Sequence, residues 1–186
     1  MKITLLGDSI RLIGYGKVVP ELLGEDFEVF QPRDNGRFAK YTLRNIFDCR
    51  NAMEGSSIVH WNNGLWDVCD LFGEELFSPL EEYVATISRI ADVLLKNHEK
   101  VIFATTTPVR NHPHIYNEDI ERYNKAIVPV LEEKGVIIND LHTTIAVDID
   151  RFIRHDDCIH LTDEGIEVAA KQVAEIIRKV SEDISK

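Results

Sequence analysis

Five short apolar runs, each separated from the next by a segment of different periodicity, constrain this chain most. They fall at 3–6, 28–31, 57–61, 101–105 and 136–139. Each is short enough to be a strand, and 28–31 is the least apolar of them. Between and after them, apolar residues recur at spacings of three and four. Leu80, Tyr83, Ile87, Ile90 and Leu94 form one stripe. Tyr123, Ile127, Val130 and Leu131 form a second, and Ile166, Ala169, Val173, Ile176 and Val180 a third. Such spacing puts each set on one face of a helix. Thr162 or Asp163 is placed to cap the last one. Strands alternating with helices predict an α/β fold with a parallel sheet and helices on both faces. Strands apolar throughout fit burial on both sides.

The chain has 186 residues, which predicts a single domain, 1–186, with one sizeable core. No run approaches the roughly 20 apolar residues of a spanning helix. The N-terminus lacks a secretory pattern, so a cytoplasmic protein, or a mature form without its leader, is expected. The net charge of −11 opposes binding to phosphate backbones and anionic membranes, and no basic stripe offsets it. Nucleic acid and membrane are therefore not expected partners. Cys49, Cys69 and Cys158 are an odd number without a CxxC pair, so they read as small buried hydrophobes. Nothing in the sequence sets an oligomeric state.

Long segments at 32–41, 62–79, 108–118 and 141–161 each follow a predicted strand. In open parallel sheets ligands bind outside the carboxyl ends of the strands. The first run also ends there, in Gly7-Asp8-Ser9. A serine after a strand is commonly only a helix cap. A nucleophilic serine needs a base, and the base an orienting acceptor. The stretch "HDDCIHLTDEG", 155–165, supplies both in Asp157 and His160, three apart. A turn there lets the carboxylate fix the imidazole tautomer and leaves the other nitrogen for Ser9. Donors for an oxyanion are available from Gly36 in "RDNGRF", and from Asn62 and Asn63 in "HWNNGLWD".

Other residues compete for attention. His112 and His114 could be read as metal ligands but lack a clear third. Their plainer role is to line the mouth of a site. His60 lies within a strand and reads as a core residue, whereas His142 is a rival base to His160. The aromatic residues Trp61, Trp66, Phe72 and Phe77 suit an acyl pocket, a sugar platform or ordinary packing. Arg33, Arg37 and Lys40 would meet an anionic group or remain solvated.

These blocks together resemble the SGNH hydrolases of the GDSL esterase/lipase superfamily. Gly7-Asp8-Ser9-Ile10 is similar to the first block, with Ile for the usual Leu. Asp157-Cys158-Ile159-His160 is similar to the last, followed by Leu161, Thr162 and Gly165. Gly36 stands for the glycine block. Trp61-Asn62-Asn63-Gly64 departs from the usual Gly-x-Asn-Asp, leaving Asn62 (or Asn63) as the amide donor. The resemblance implies a three-layer α/β/α sandwich, flavodoxin-like, with about five parallel strands. It also implies a catalytic set of Ser9, Asp157 and His160, an oxyanion hole of Ser9, Gly36 and Asn62 (or Asn63), and no metal or organic cofactor. Trp61, Trp66 and Arg37 are the expected pocket residues.

The expected reaction is hydrolysis of a small carboxylic ester through an acyl-enzyme, with an acetylated carbohydrate favoured as substrate. A thioesterase or lysophospholipase would use the same triad. From another class, a flavodoxin-like phosphate- or nucleotide-binding module would use the first loop as a cradle at a helix start.

Overall fold

A computed structural model describes residues 1–184; residues 185 and 186 of the expected domain lie outside the described residues. Five strands form one parallel sheet: β1 (Lys2–Leu6), β2 (Glu28–Phe30), β3 (Ile58–Asn62), β4 (Lys100–Ala104) and β5 (Ile137–Asn139). Their spatial order is β2-β1-β3-β4-β5, the order of flavodoxin-like sheets. Ile3 pairs with Ile58, and Asn62 with Ala104. All five residues of β3 are buried, which is why the central runs read as continuous apolar stretches and not as alternating ones. The edge strand β2 is partly exposed, matching its weaker apolar character.

Among the described residues seven α-helices accompany the sheet: α1 (Val19–Leu23), α2 (Ala39–Met53), α3 (Leu80–Asn97), α4 (Asn117–Glu133), α5 (Leu141–Ala146), α6 (Ile149–Phe152) and α7 (Asp163–Ile184). Helices α2, α3 and α4 pack side by side against β1, β4 and β5. Helix α7 packs on β3 and β5 together with α1, α5 and α6. The three apolar stripes read from the sequence are the buried faces of α3, α4 and α7. Thr162 caps α7: its Oγ1 accepts the Gly165 amide at 3.1 Å. A Cβ on Gly165 would stand 2.4 Å from the Phe152 carbonyl oxygen, so only glycine lets α7 start this close to α6.

Helix α2 was not marked by an apolar stripe. Its buried positions are Ala39, Thr42, Ile46 and Met53, and an alanine and a threonine dilute the pattern. The segment 141–161 is not all loop either, because α5 and α6 lie within it. Both are short and start on side-chain caps. Asp140 accepts from the Thr143 amide, and Asp148 from the Arg151 amide. No helix among the described residues is long and apolar enough to cross a membrane.

Candidate active site

The sheet order reverses between β1 and β3, and the crevice at that switch point is where the chain ends of both strands meet. Gly7 leaves β1 at φ 143°, and a Cβ there would lie 2.0 Å from Asn62 Oδ1. The glycine is thus required for β1 and β3 to deliver their ends side by side. A Cβ on Gly36 would come within 2.5 Å of the Gly7 carbonyl oxygen, so the loop after β2 closes on the same point. Arg11 clamps it. Its guanidinium is buried and donates to the carbonyls of Pro32 (2.8 Å), Asp34 (2.8 Å) and Gly7 (3.2 Å). A buried arginine was not anticipated; the one hint is a charge set inside the apolar run "SIRLIG".

Ser9 precedes a five-residue π-helical segment, Ile10–Gly14, and makes no side-chain capping bond to it. Its hydroxyl points elsewhere, and Ser9 Oγ lies 2.9 Å from His160 Nε2. His160 Nδ1 lies 2.9 Å from Asp157 Oδ2. A carboxylate can only accept, so Nδ1 carries the proton and Nε2 is left to accept from Ser9. The turn that joins Asp157 to His160 is held by Asp157 Oδ1, which accepts the amides of Ile159 (3.0 Å) and His160 (2.9 Å). Cys158 within it has φ 63°, and its carbonyl accepts the Arg110 amide at 2.9 Å. Partial burial alone would raise the Asp157 pKa. The two amides and the imidazole outweigh burial and hold it at about 2.

Asp8 is different. It is fully buried, and burial pushes its pKa up to about 6, against hydrogen bonds from Asn62 and Ile10. Its Oδ1 accepts from the Ile10 amide (2.9 Å) and Asn62 Nδ2 (2.7 Å). Its Oδ2 has no hydrogen-bond partner. Asn62 is held at both ends, because its Oδ1 accepts from Tyr15 Oη at 2.9 Å. One Nδ2 hydrogen therefore goes to Asp8 and the second remains to be directed at a ligand. Asn63 turns the other way, donating from Nδ2 to the Arg37 carbonyl at 2.9 Å. Asn62, not Asn63, is thus linked to the Ser9 loop.

Gly36 stands apart from its expected role. Its amide donates to the Gly7 carbonyl at 2.8 Å and is committed to holding the loop. Trp61 is also displaced from expectation. It is fully buried and packs edge-on against Phe103, with ring centroids 4.8 Å apart, because a position within β3 faces a covered side of the sheet. Arg37 lies over the Tyr41 ring, 4.7 Å from its centroid, and lines neither cleft at Ser9. Trp66, by contrast, does line one. His60 is buried with Nε2 3.0 Å from Asn139 Nδ2, and burial lowers its pKa to about 3. His142 packs beside Asp140, and its Nε2 has no hydrogen-bond partner. The His112 and His114 rings stand 6.1 Å apart. Among the described residues no cluster of three or more His, Cys, Asp or Glu side chains could hold a metal ion. The three cysteines are unpaired and half-buried, not fully buried.

Two clefts open at Ser9 and His160, and these are the two residues they share. One, of about 370 Å³, is walled by Phe38, Leu65, Trp66, Phe77, Ile115 and Ile159. The other, of about 840 Å³, is mixed, with Lys17, Arg154, Asp163 and Glu167 beside Ile13, Val18 and Ile166. A hydroxyl, a base and an orienting carboxylate in series at the junction of two clefts form an arrangement suited to nucleophilic attack on a carbonyl.

No family model matches the sequence, and no curated protein matches it. Solved structures do match the fold. An acetyl xylan esterase, AlAXEase, superposes with a TM-score of 0.81 at 19% identity, covering 95% of this chain and 100% of that one. The lipase/acylhydrolase from Enterococcus faecalis gives 0.80 at 20% identity, covering 96% and 95%. The acetylxylan esterase Axe2 from Geobacillus stearothermophilus gives 0.75 at 17% identity, covering 94% and 92%. This chain therefore has the fold of these esterases and of the acylhydrolase.

Proposed function

We propose that the protein is a serine ester hydrolase, acting on a small carboxylic ester through an acyl-enzyme, with an acetylated carbohydrate as its substrate. The observation that carries this is the series Ser9 Oγ, His160 Nε2 and Nδ1, and Asp157 Oδ2, with 2.9 Å at each gap. In the first step Ser9 Oγ bonds to the ester carbonyl carbon as its proton passes to His160 Nε2. The tetrahedral oxyanion collapses, the C–O bond to the alcohol breaks, and His160 returns the proton to the leaving oxygen. Water then repeats the sequence on the acyl-enzyme and releases the acid. Asp157 stays ionised throughout and supports the imidazolium. Asn62 and the Ser9 amide are the assigned oxyanion donors.

The neighbours support the choice of substrate, two of them being acetyl xylan esterases. Variants of the Geobacillus enzyme described as catalytic mutants replace a serine, an aspartate and a histidine, with the aspartate three positions before the histidine. Asp157 and His160 have the same spacing here.

The test is hydrolysis of p-nitrophenyl acetate, together with labelling by a fluorophosphonate. Ser9→Ala and His160→Ala are expected to lose at least about 10⁴-fold in kcat, and Ser9→Ala to lose the label. Wild-type turnover in both variants would sink the assignment.

A further inference from the structure

We propose that the apolar cleft beside Ser9 takes the acyl chain, that it accepts linear chains well beyond acetyl, and that the alcohol lies in the polar cleft opposite. This rests on the ester-hydrolase part of the reading above, gives it a direction, and widens the acyl group of that reading from acetyl to longer linear chains. The carbonyl carbon attacked by Ser9 carries two substituents that diverge, and the structure offers two clefts that share only Ser9 and His160. Their linings are unlike. Apart from those two residues, the polar groups lining the apolar cleft are Cys69, His112 and the Trp66 indole N–H. A sugar placed there would lose hydration at most of its hydroxyls without replacement partners. The second cleft is mixed: Ile10, Ile13, Val18, Leu161 and Ile166 line it too, but Lys17, Arg154, Asp163 and Glu167 give it charged donors and acceptors of the kind that hydroxyls require, which the first cleft lacks.

Size points the same way. A cleft of about 370 Å³ is far larger than the single methyl that an acetyl group presents. Each further methylene that it buries contributes roughly 0.8 kcal/mol, about 4-fold in kcat/KM. The aromatic walls, Phe38 and Phe77 with centroids 5.0 Å apart, are rigid apolar surface for such a chain. The rival occupant is a sugar ring stacked on Trp66 or Phe77, and the test distinguishes it.

The experiment measures kcat/KM for p-nitrophenyl acetate, butyrate and octanoate with wild type, Trp66→Ala and Cys69→Phe, and KM for glucose pentaacetate with the same proteins. Trp66 is 44% exposed, so its loss leaves the fold standing, and Cys69→Phe fills the cleft from one wall. The expected result is a gain of about 10-fold from acetate to butyrate in the wild type. Either substitution should lower the octanoate-to-acetate ratio by about 10-fold. A wild-type kcat/KM that falls from acetate onward overturns the inference. So does a Trp66→Ala variant that raises KM for the acetylated sugar while keeping the octanoate-to-acetate ratio. Ser9-dependent acetate hydrolysis with no chain-length gain overturns this inference alone. Failure of all ester turnover and of fluorophosphonate labelling overturns the ester-hydrolase reading with it.

Discussion

Asp8 and Asp157 belong to loops on either side of Ser9, and their surroundings drive them apart. Asp157 is partly solvated, accepts two backbone amides and faces an imidazole, and its pKa sits at about 2. Asp8 is buried in the turn that carries Ser9, with one oxygen unpartnered, and its pKa rises to about 6. Two identical side chains thus sit in opposite electrostatic settings. Asp157 is a permanent anion that can hold a positive imidazole, and Asp8 is a scaffold that fixes Asn62 and the start of the π-helical segment. Sequence proximity to the serine is no guide to which carboxylate is electrostatically useful; the count of donors around it is.

Breaking the anion should have the largest effect. Asp157→Asn is expected to lower kcat on p-nitrophenyl acetate by about 10³ to 10⁴-fold, because the amide permits the wrong tautomer of His160. If Asp8→Asn cost as much, the division of labour would be refuted. Asn62→Ala comes next, with an expected loss of about 100 to 1,000-fold in kcat and a nearly unchanged KM. A loss confined to KM would instead place Asn62 in ground-state binding.

The smallest effect concerns stability. Asp8 has a folded pKa of about 6 against 3.8 for the free group, so the stability it contributes is complete below about pH 4 and is lost as pH rises through about 6. Asp8→Asn keeps an acceptor for Ile10 and Asn62 but never ionises. Its Tm should therefore gain a few degrees on the wild type between about pH 5 and about pH 8. Asp157→Asn should do the reverse, with a deficit that disappears as pH falls below about 4 towards 2. Thermal melts across this range would show parallel curves for the two variants if the contrast were absent.

Much of this was legible in the chain. All five runs became strands, since sheet interiors leave apolar residues no alternative. The residues Ser9, Asp157 and His160 stood out because a serine after a strand needs a base and an orienting acceptor, and the spacing of Asp157 and His160 supplies both. What stayed hidden depends on packing between distant segments. The buried face of α2 carries Ala39 and Thr42, which no apolar count registers. Gly36 looks like a donor until its amide is seen to serve the Gly7 carbonyl. Trp61 looks like a pocket residue until the helices cover it. The choice between Asn62 and Asn63 turns on whether the Ser9 loop or the Arg37 carbonyl holds the amide, and neighbours in sequence cannot express that.

The Arg11 clamp has a consequence for cooperativity. One guanidinium gathers carbonyls from the turn after β1 and from the chain that follows β2. The Ser9 loop and the exposed margin of the sheet are thereby joined into one folding unit. A fluctuation that peels β2 from β1 strips Arg11 of two acceptors at once, and the turn bearing Ser9 loosens with it. Loss of catalysis and detachment of the edge strand should then be a single event, and amide exchange in β2 would report on the integrity of the site more faithfully than exchange in the buried central strands.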